Sequence, residues 1–287
     1  QSNHAIQTRL MPTNVMGSML RQFDFHRNRI LLSEAMPEEQ RLFQLGVQIA
    51  LVSCQPEIDT IIAGAGLEDG ESTNLLKMTL SNYFSACLMM PYDNFLAAAQ
   101  ETKYDLEQLS NKFGASFEQI CHRLTTLNRP GARGIAFFFL RVDEAGHISK
   151  RLSGGGVEFA KYGGSCSRWI PHHAFRTPEQ IQVQFAELED AHRFITITKT
   201  VSKPRTEPPY IVTPIFAIPL GCDARHFKEL CYTEKVASEK SFATVPIGLG
   251  CQLCERSDCQ HRSVPPIGHE MRFDLTKRHV GLYHFRG

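Results

Sequence analysis

The 287-residue sequence is short of several things, and each shortage removes a class of protein. Net charge is +1, from 31 basic against 30 acidic residues, so the surface as a whole sets up no field that would gather nucleic acid or a charged membrane. A local basic patch is still compatible with that balance. No apolar run approaches the roughly 20 residues that cross a bilayer. The opening "QSNHAIQ" lacks the basic start and apolar core of a secretory signal and looks like an expression scar. A cytoplasmic protein with no membrane partner is expected. The zinc-peptidase signature HExxH is missing, because His269-Glu270 is followed by "MRF" without a second histidine. Phosphate-loop and dinucleotide-binding glycine patterns are missing too: "SGGGVEF" at 153–159 has no Lys-Ser/Thr after it and reads as a flexible turn. There is one tryptophan, Trp169, and no internal repeat or low-complexity tract.

Cysteine, by contrast, is present in an odd number, nine, and unevenly spread. Cys54, Cys87 and Cys121 lie in apolar, helical surroundings, where a free thiol behaves as a small hydrophobe. Cys251, Cys254 and Cys259 crowd into "PIGLGCQLCERSDCQHR" (246–262), with His261 close behind. In a reducing compartment such a cluster points to metal or redox chemistry before disulfides. Two thiolates at i and i+3 reach one metal from a tight loop, and a third a few residues on can join them. The fourth ligand is open between three residues. His261 is near in sequence. Cys222 ends "IPLGC" as Cys251 ends "PIGLGC", so two apolar strands could deliver both thiols to one sheet edge. Cys166 sits in "GGSCSRW", where paired glycines allow close backbone approach. Cys222 is the choice carried forward. Zinc and iron–sulfur cannot be told apart by an all-Cys set; the single CxxC knuckle favours iron–sulfur, and a His ligand would favour zinc.

The hydrophobic pattern divides the chain. Residues 1–20 are expected to be a tag or a disordered lead, and "RQFDFHRNRILLS" (21–33) a strand or hairpin. Helical periodicity then runs through "EEQRLFQLGVQIALVSC" and a long apolar helix that stops before Pro91, restarting at Tyr92 or Asp93. In "YDLEQLSNKFGASFEQICHRLTTL" (104–127), Leu106, Leu109 and Phe113, then Gly114, then Phe117, Ile120 and Leu124 make a helix–turn–helix rhythm. The second helix has few side chains suited to base edges, so two packed helices are favoured over a DNA reader. Residues 21–128 form one domain on this reading. After "NRPGARG" the character changes to strands with sparse helices over 129–287, including a strand–DEAG–strand hairpin from "IAFFFLRVDEAGHISKRL". The fold class is α+β: a helical domain, then an α+β domain on an antiparallel sheet.

Cations collect around that junction: Arg123, Arg129, Arg133, Arg141, Lys150, Arg151, Lys161 and Arg168, beside Phe137, Phe138, Phe139 and Trp169. Guanidinium forks suit phosphate, and apolar walls suit an acyl chain, so the set fits a ligand that is part phosphate and part acyl group. An enzyme alternative is a thiol-dependent acyl hydrolase or transferase that uses Cys166 with His172 or His173 of "GGSCSRWIPHH".

Several stretches together resemble one family, the short-chain fatty acyl-CoA-responsive transcription regulators of bacteria, which include propionate-catabolism regulators. They are "RLFQLGVQIAL", "NYFSACLMMPYDNFLAAAQETKYDLEQLSNKFGASFEQICHRLTTLNRPGARGIAFFFLRVD", "YGGSCSRW", "IPLGCD" and "VPIGLGCQLCERSDCQHR". The resemblance implies an N-terminal DNA-binding head that is not in this sequence, a degenerate zincin-like (zinc-peptidase-like) helical domain, and a sensor-like domain. DNA would be contacted through the missing head. Gln44 and Gln48 stand where a peptidase of this type would carry metal-binding histidines, so no proteolysis and no enzyme is implied. The sensor domain is implied to bind CoA or a short-chain acyl-CoA as effector. It is also implied to hold a [4Fe–4S] cluster on Cys251, Cys254 and Cys259, with Cys222 or Cys166 completing the set. Whether the protein forms a homo-oligomer is left open.

Overall fold

The structure is a computed structural model that describes residues 6–67, 69–154, 165–202, 212–234, 243–273, 276–278, 280–281 and 283–285. Lys161, most of "SGGGVEF" and the loop "KPRTEPP" lie outside the described residues. The chain forms two compact units, one of Gln1–Thr102, Leu106–Arg123 and Lys203–Thr213, the other of Lys103–Asp105, Leu124–Ser202 and Pro214–Gly287.

The first unit opens with β1 (Gln7–Met11), the short helix α1 (Thr13–Met16), β2 (Arg21–Asp24) and β3 (Arg29–Ser33). The three strands make one sheet in the order β1-β3-β2, β1 parallel and β2 antiparallel to β3. The expected tag or lead is thus folded from residue 6 on. Gln7–Met11 gains a ladder from β3, whose Ile30 and Leu32 are buried beneath Ile6, Phe23 and Leu45. That pairing is long-range, which local periodicity in fifteen residues does not report.

Helices α2 (Glu38–Ser53), α3 (Gln55–Gly64), α4 (Gly70–Met89), α5 (Tyr92–Glu101), α6 (Leu106–Phe113) and α7 (Phe117–Leu124) follow. Glu38 and Glu39 occupy the first turn of α2, where carboxylates suit the helix dipole. Small residues let α2 and α4 approach closely. A Cβ on Gly46 would lie 2.4 Å from Ser85 Oγ, and that hydroxyl donates to Phe43 O at 2.7 Å. Asp69 caps α4 by accepting from Ser72 N at 2.6 Å. The α6–α7 pair turns on Gly114 at φ +56°, and Leu106, Leu109, Ile120 and Cys121 are fully buried. The apolar faces of the helix–turn–helix rhythm therefore serve packing.

In the second unit a two-residue hairpin, β4 (Asn128–Arg129) and β5 (Ala132–Arg133), precedes the main sheet. That sheet contains β6 (Phe138–Asp143), β7 (Ile148–Ser153), β8 (Gln182–Glu187), β9 (Arg193–Ser202), β10 (Ile215–Asp223) and β11 (Val245–Pro246), in the order β11-β8-β9-β10-β6-β7. All pairs are antiparallel except β11 with β8. The DEAG turn joins β6 to β7, with Gly146 at φ +84° and Asp143 Oδ1 accepting from His147 N at 2.8 Å. The stretch "TPEQIQVQFAEL" forms a turn and then β8, because Gln182–Glu187 finds partners on β9. A last small pair, β12 (Met271–Arg272) and β13 (His284–Phe285), closes the tail.

One sheet face carries Phe138, Leu140, Val142, Phe194 and Ala217, covered by Trp169 and Ala174. Trp169 is buried and donates its indole N–H to Thr196 Oγ1 at 3.1 Å, so the polar handle of this large side chain is satisfied inside the core. Strand alternation sends Ile195, Ile197, Ile218, Leu220 and Cys222 to the opposite face, all of them buried.

Candidate functional site

The loop after β11 brings Cys251, Cys254 and Cys259 around one pocket, and Cys166 comes to the same pocket from the segment before Trp169. His261 lies on its exposed rim. Cys166 and Cys254 are buried, Cys251 and Cys259 half-buried, and all four are free thiols. The closed space between them is small, about 10 Å³, room for roughly one water. Anything larger held there requires the loop to part.

Cys222 is not the fourth thiol of this pocket. It lies on β10 opposite Ile195, and its neighbour Gly221 faces Phe138 and the Trp169 side of the sheet. A side-chain period of two therefore turns Cys222 to the other face, where burial, then Asp223 and Glu229, push its thiol far up. The parallel between "IPLGC" and "PIGLGC" was misleading because Cys222 is still inside a strand. Cys251 is five residues beyond the end of β11.

Three residues not singled out from sequence hold the pocket together. Arg262 is buried, and its guanidinium donates to Cys251 O at 2.5 Å, Cys254 O at 2.7 Å and Arg256 O at 2.9 Å. Arg256 Nη2 donates to Glu187 O and Leu188 O at 3.0 and 2.9 Å, fixing the loop to the end of β8. Glu189 Oε2 accepts from Glu255 N at 2.6 Å. Burial pushes the Cys254 thiol up to about 11, a hydrogen bond with Glu189 adding to the rise. The close fit needs Gly248: a Cβ there would sit 2.9 Å from both Cβ and Sγ of Cys254. The available sequence signal was a loop without secondary structure whose carbonyls need donors, with an arginine at its end.

Among the described residues, no three His, Cys, Asp or Glu side chains converge within reach of a single metal ion. Four thiols line the pocket without meeting at a point.

The proposed cation set is dispersed. Arg123 belongs to the first unit, is fully buried, donates Nε–H to Met90 O at 3.1 Å and lies over the rings of Tyr83 and Tyr92, each 5.7 Å from the centroid. Its role there is to tie helices together. Trp169 is likewise a core residue. Arg129 and Arg133 are exposed on the β4–β5 hairpin. Arg141 and Lys150 are cross-strand partners at the β6–β7 edge, Arg141 lying over Phe216 at 5.0 Å and Lys150 over Phe139 at 5.7 Å. Arg151 pairs with Leu140 and so points to the other face. Arg168 is half-buried, its carbonyl accepting from Gln184.

The thiol–imidazole pair does not form. His172 Nε2 is 2.7 Å from Ser165 Oγ, and His173 Nε2 is 3.0 Å from Ser167 O, so neither is turned to Cys166. On α2, Gln48 is buried and the Gln44 carbonyl accepts from Arg21 at 3.1 Å.

Comparison with known proteins gives a consistent picture. Residues 126–283 match the family described as short-chain fatty acyl coenzyme A regulator, C-terminal, and residues 1–125 match the IrrE N-terminal-like domain. The chain is 40% identical over 253 residues to a propionyl-CoA carboxylase regulator of Cereibacter sphaeroides, covering 88% of this chain and 54% of that one. It is 39% identical over 236 residues to the HTH-type transcriptional regulator PrpR of Mycobacterium tuberculosis, covering 82% and 48%. A solved structure of a Mycobacterium tuberculosis transcriptional regulator superposes with a TM-score of 0.91 at 34% identity, over 98% of this chain and 85% of that chain. The chain spans about half the length of the curated relatives it matches. These relatives are named as regulators and not as enzymes. No helix among the described residues is long and apolar enough to cross a membrane.

Proposed function

Because the chain belongs to the short-chain fatty acyl coenzyme A regulator family, we propose that it is the effector-sensing part of a transcription factor, responding to a short-chain acyl-CoA and carrying a cysteine-held [4Fe–4S] cluster. The observation that carries the cluster reading is the shared pocket of Cys166, Cys251, Cys254 and Cys259. A single zinc ion needs its ligands to converge on one point, and these side chains do not. A [4Fe–4S] cluster takes one thiolate per iron, so it suits four thiols spread around a cavity. Such a group supplies a structural tie or a one-electron redox centre. Loading it requires the buried thiols to lose protons and the loop to open beyond its closed form.

Effector binding is proposed for the second unit. The Arg141–Lys150 pair offers two adjacent cations over aromatic rings, suited to phosphate, with Arg129, Arg133, Arg151 and Arg168 as further candidates. DNA binding belongs, on this proposal, to the part of the relatives' length that this chain does not span. Sensing is then linkage: the effector binds one arrangement better, and a coupling of about 1–3 kcal/mol changes DNA affinity about 5–150-fold.

The test is iron, sulfide and zinc analysis of anaerobically purified protein, with Cys166→Ser and Cys222→Ser beside it. About four irons and four sulfides per chain are expected, lost in Cys166→Ser and retained in Cys222→Ser. A colourless, zinc-loaded protein overturns the cluster reading. Loss in Cys222→Ser alone overturns the ligand set.

A further inference from the structure

The tail after the cysteine loop carries no cysteine and no motif, yet it packs on the loop at three places. The Arg262 guanidinium lies 4.8 Å over the Phe285 ring, and Phe285 is buried. The His269 ring lies tilted against the same ring, centroids 4.5 Å apart, and reaches Glu255 Oε2 at 2.8 Å. Gly281 sits so close to the last cysteine that a Cβ there would be 3.3 Å from Cys259 O and 3.4 Å from Gln260 Cα.

Arg262 joins these two layers. Its Cζ lies over the Phe285 ring, while its Nη1 and Nη2 hold the carbonyls of Cys251, Cys254 and Arg256. Only arginine can spread donors from two nitrogens over three carbonyls while its charged centre lies over a ring; lysine offers a single point charge. The three carbonyls belong to two of the pocket cysteines and to the segment leading toward the third, so one side chain sets the spacing of all three loop thiols. It also leaves a positive charge beside the pocket, where thiolates would need stabilising.

We propose that Arg262 is a positioning residue for the four-cysteine pocket and that, through Phe285, it clasps the C-terminal hairpin over the loop, so that the order of the tail follows the filling of the pocket. This rests on the cluster reading for what fills the pocket, but the clasp itself concerns the protein alone. Opening the loop to admit a group must move the Cys251 and Cys254 carbonyls, and Arg262 transmits that movement to Phe285.

The experiment compares the full chain with Arg262→Lys, Arg262→Gln and Phe285→Leu, after chelator stripping and after anaerobic loading with ferrous iron and sulfide. Hydrogen exchange of residues 251–262 and 281–285 is followed, together with iron content and midpoint potential. In stripped protein, Arg262→Gln speeds exchange of both segments by about 10- to 100-fold, the loss expected for hydrogen bonds from a charged donor. Phe285→Leu speeds the tail alone. In loaded protein, wild-type exchange of the tail differs from the stripped state. Arg262→Gln shifts the potential downward, because a positive charge is gone, and Arg262→Lys restores the potential without restoring tail protection. If Arg262→Gln leaves exchange of stripped protein unchanged, the clasp is wrong, whatever the metal result. If exchange responds but wild type takes up no iron and sulfide, the clasp stands and the cluster reading fails. Equal tail exchange in loaded and stripped wild type overturns the coupling.

Discussion

Gly221 has no room for a side chain, and the cost of adding one follows from its surroundings. A Cβ there would fall 2.1 Å from Cζ and 2.5 Å from Cε1 of Phe138, and 2.8 Å from Ile195 O. Phe138 is 1% exposed, with Phe194 at 5.7 Å and Trp169 at 6.5 Å between ring centroids, so the ring has no solvent to swing into. The carbonyl belongs to the central β9–β10 ladder and moves only with it. Overpacking a filled core costs about 1–3 kcal/mol, and with ring and backbone both in the way Gly221→Ala belongs at the upper end. For a unit of this size each kcal/mol lowers Tm by about 2–4 °C, so a fall of about 6–12 °C is expected. Trp169 is the only tryptophan and lies on this side of the sheet, so its emission reports unfolding of the second unit alone. Phe138→Leu should recover part of the loss when combined with Gly221→Ala, giving a double mutant clearly less damaged than the sum of the two singles. A Gly221→Ala protein within about 0.5 kcal/mol of wild type would refute the packing argument, and so would strict additivity in the pair.

Two further tests concern the first unit and the thiols. Asp69→Ala removes the side-chain acceptor for Ser72 N and should destabilise the first unit by about 0.5–2 kcal/mol in urea unfolding followed by circular dichroism; Asp69→Asn should behave nearly as wild type, and equal loss in both would point to charge instead of capping. Thiol labelling of stripped protein near pH 8 should modify the half-buried Cys54, Cys87, Cys231, Cys251 and Cys259 before the buried thiols, while Cys121 and Cys222 wait for unfolding. Burial holds both of those thiols well above their ordinary range, with Glu118 adding at Cys121 and Asp223 at Cys222. Early modification of Cys222, read by peptide mass mapping, would contradict its burial on the face of β10 away from Trp169.

Local pattern was enough wherever one element's chemistry decided its state. The α6–α7 faces, the Pro91 break and the DEAG hairpin all follow from spacing and turn residues, and the structure has each of them. The three clustered cysteines were legible because the six residues between them cannot carry them far apart. The strand at 7–11 was not legible, since its partner is about twenty residues away and its pairing is parallel.

The sequence by itself determined that this protein has an α-rich part followed by a sheet, no peptidase signature, and a knot of thiols near its end. Only the tertiary structure decided which thiol joins that knot and what holds it. As letters Cys222 is favoured over Cys166, but strand register turns Cys222 to the far face and a loop brings Cys166 to the pocket. Arg262 is one of 31 basic residues in the sequence, and becomes the centre of the loop only because folding leaves three carbonyls there without a ladder. Side-chain direction and unmet backbone hydrogen bonds are properties of packed chain, and they settle once the strands have found their partners.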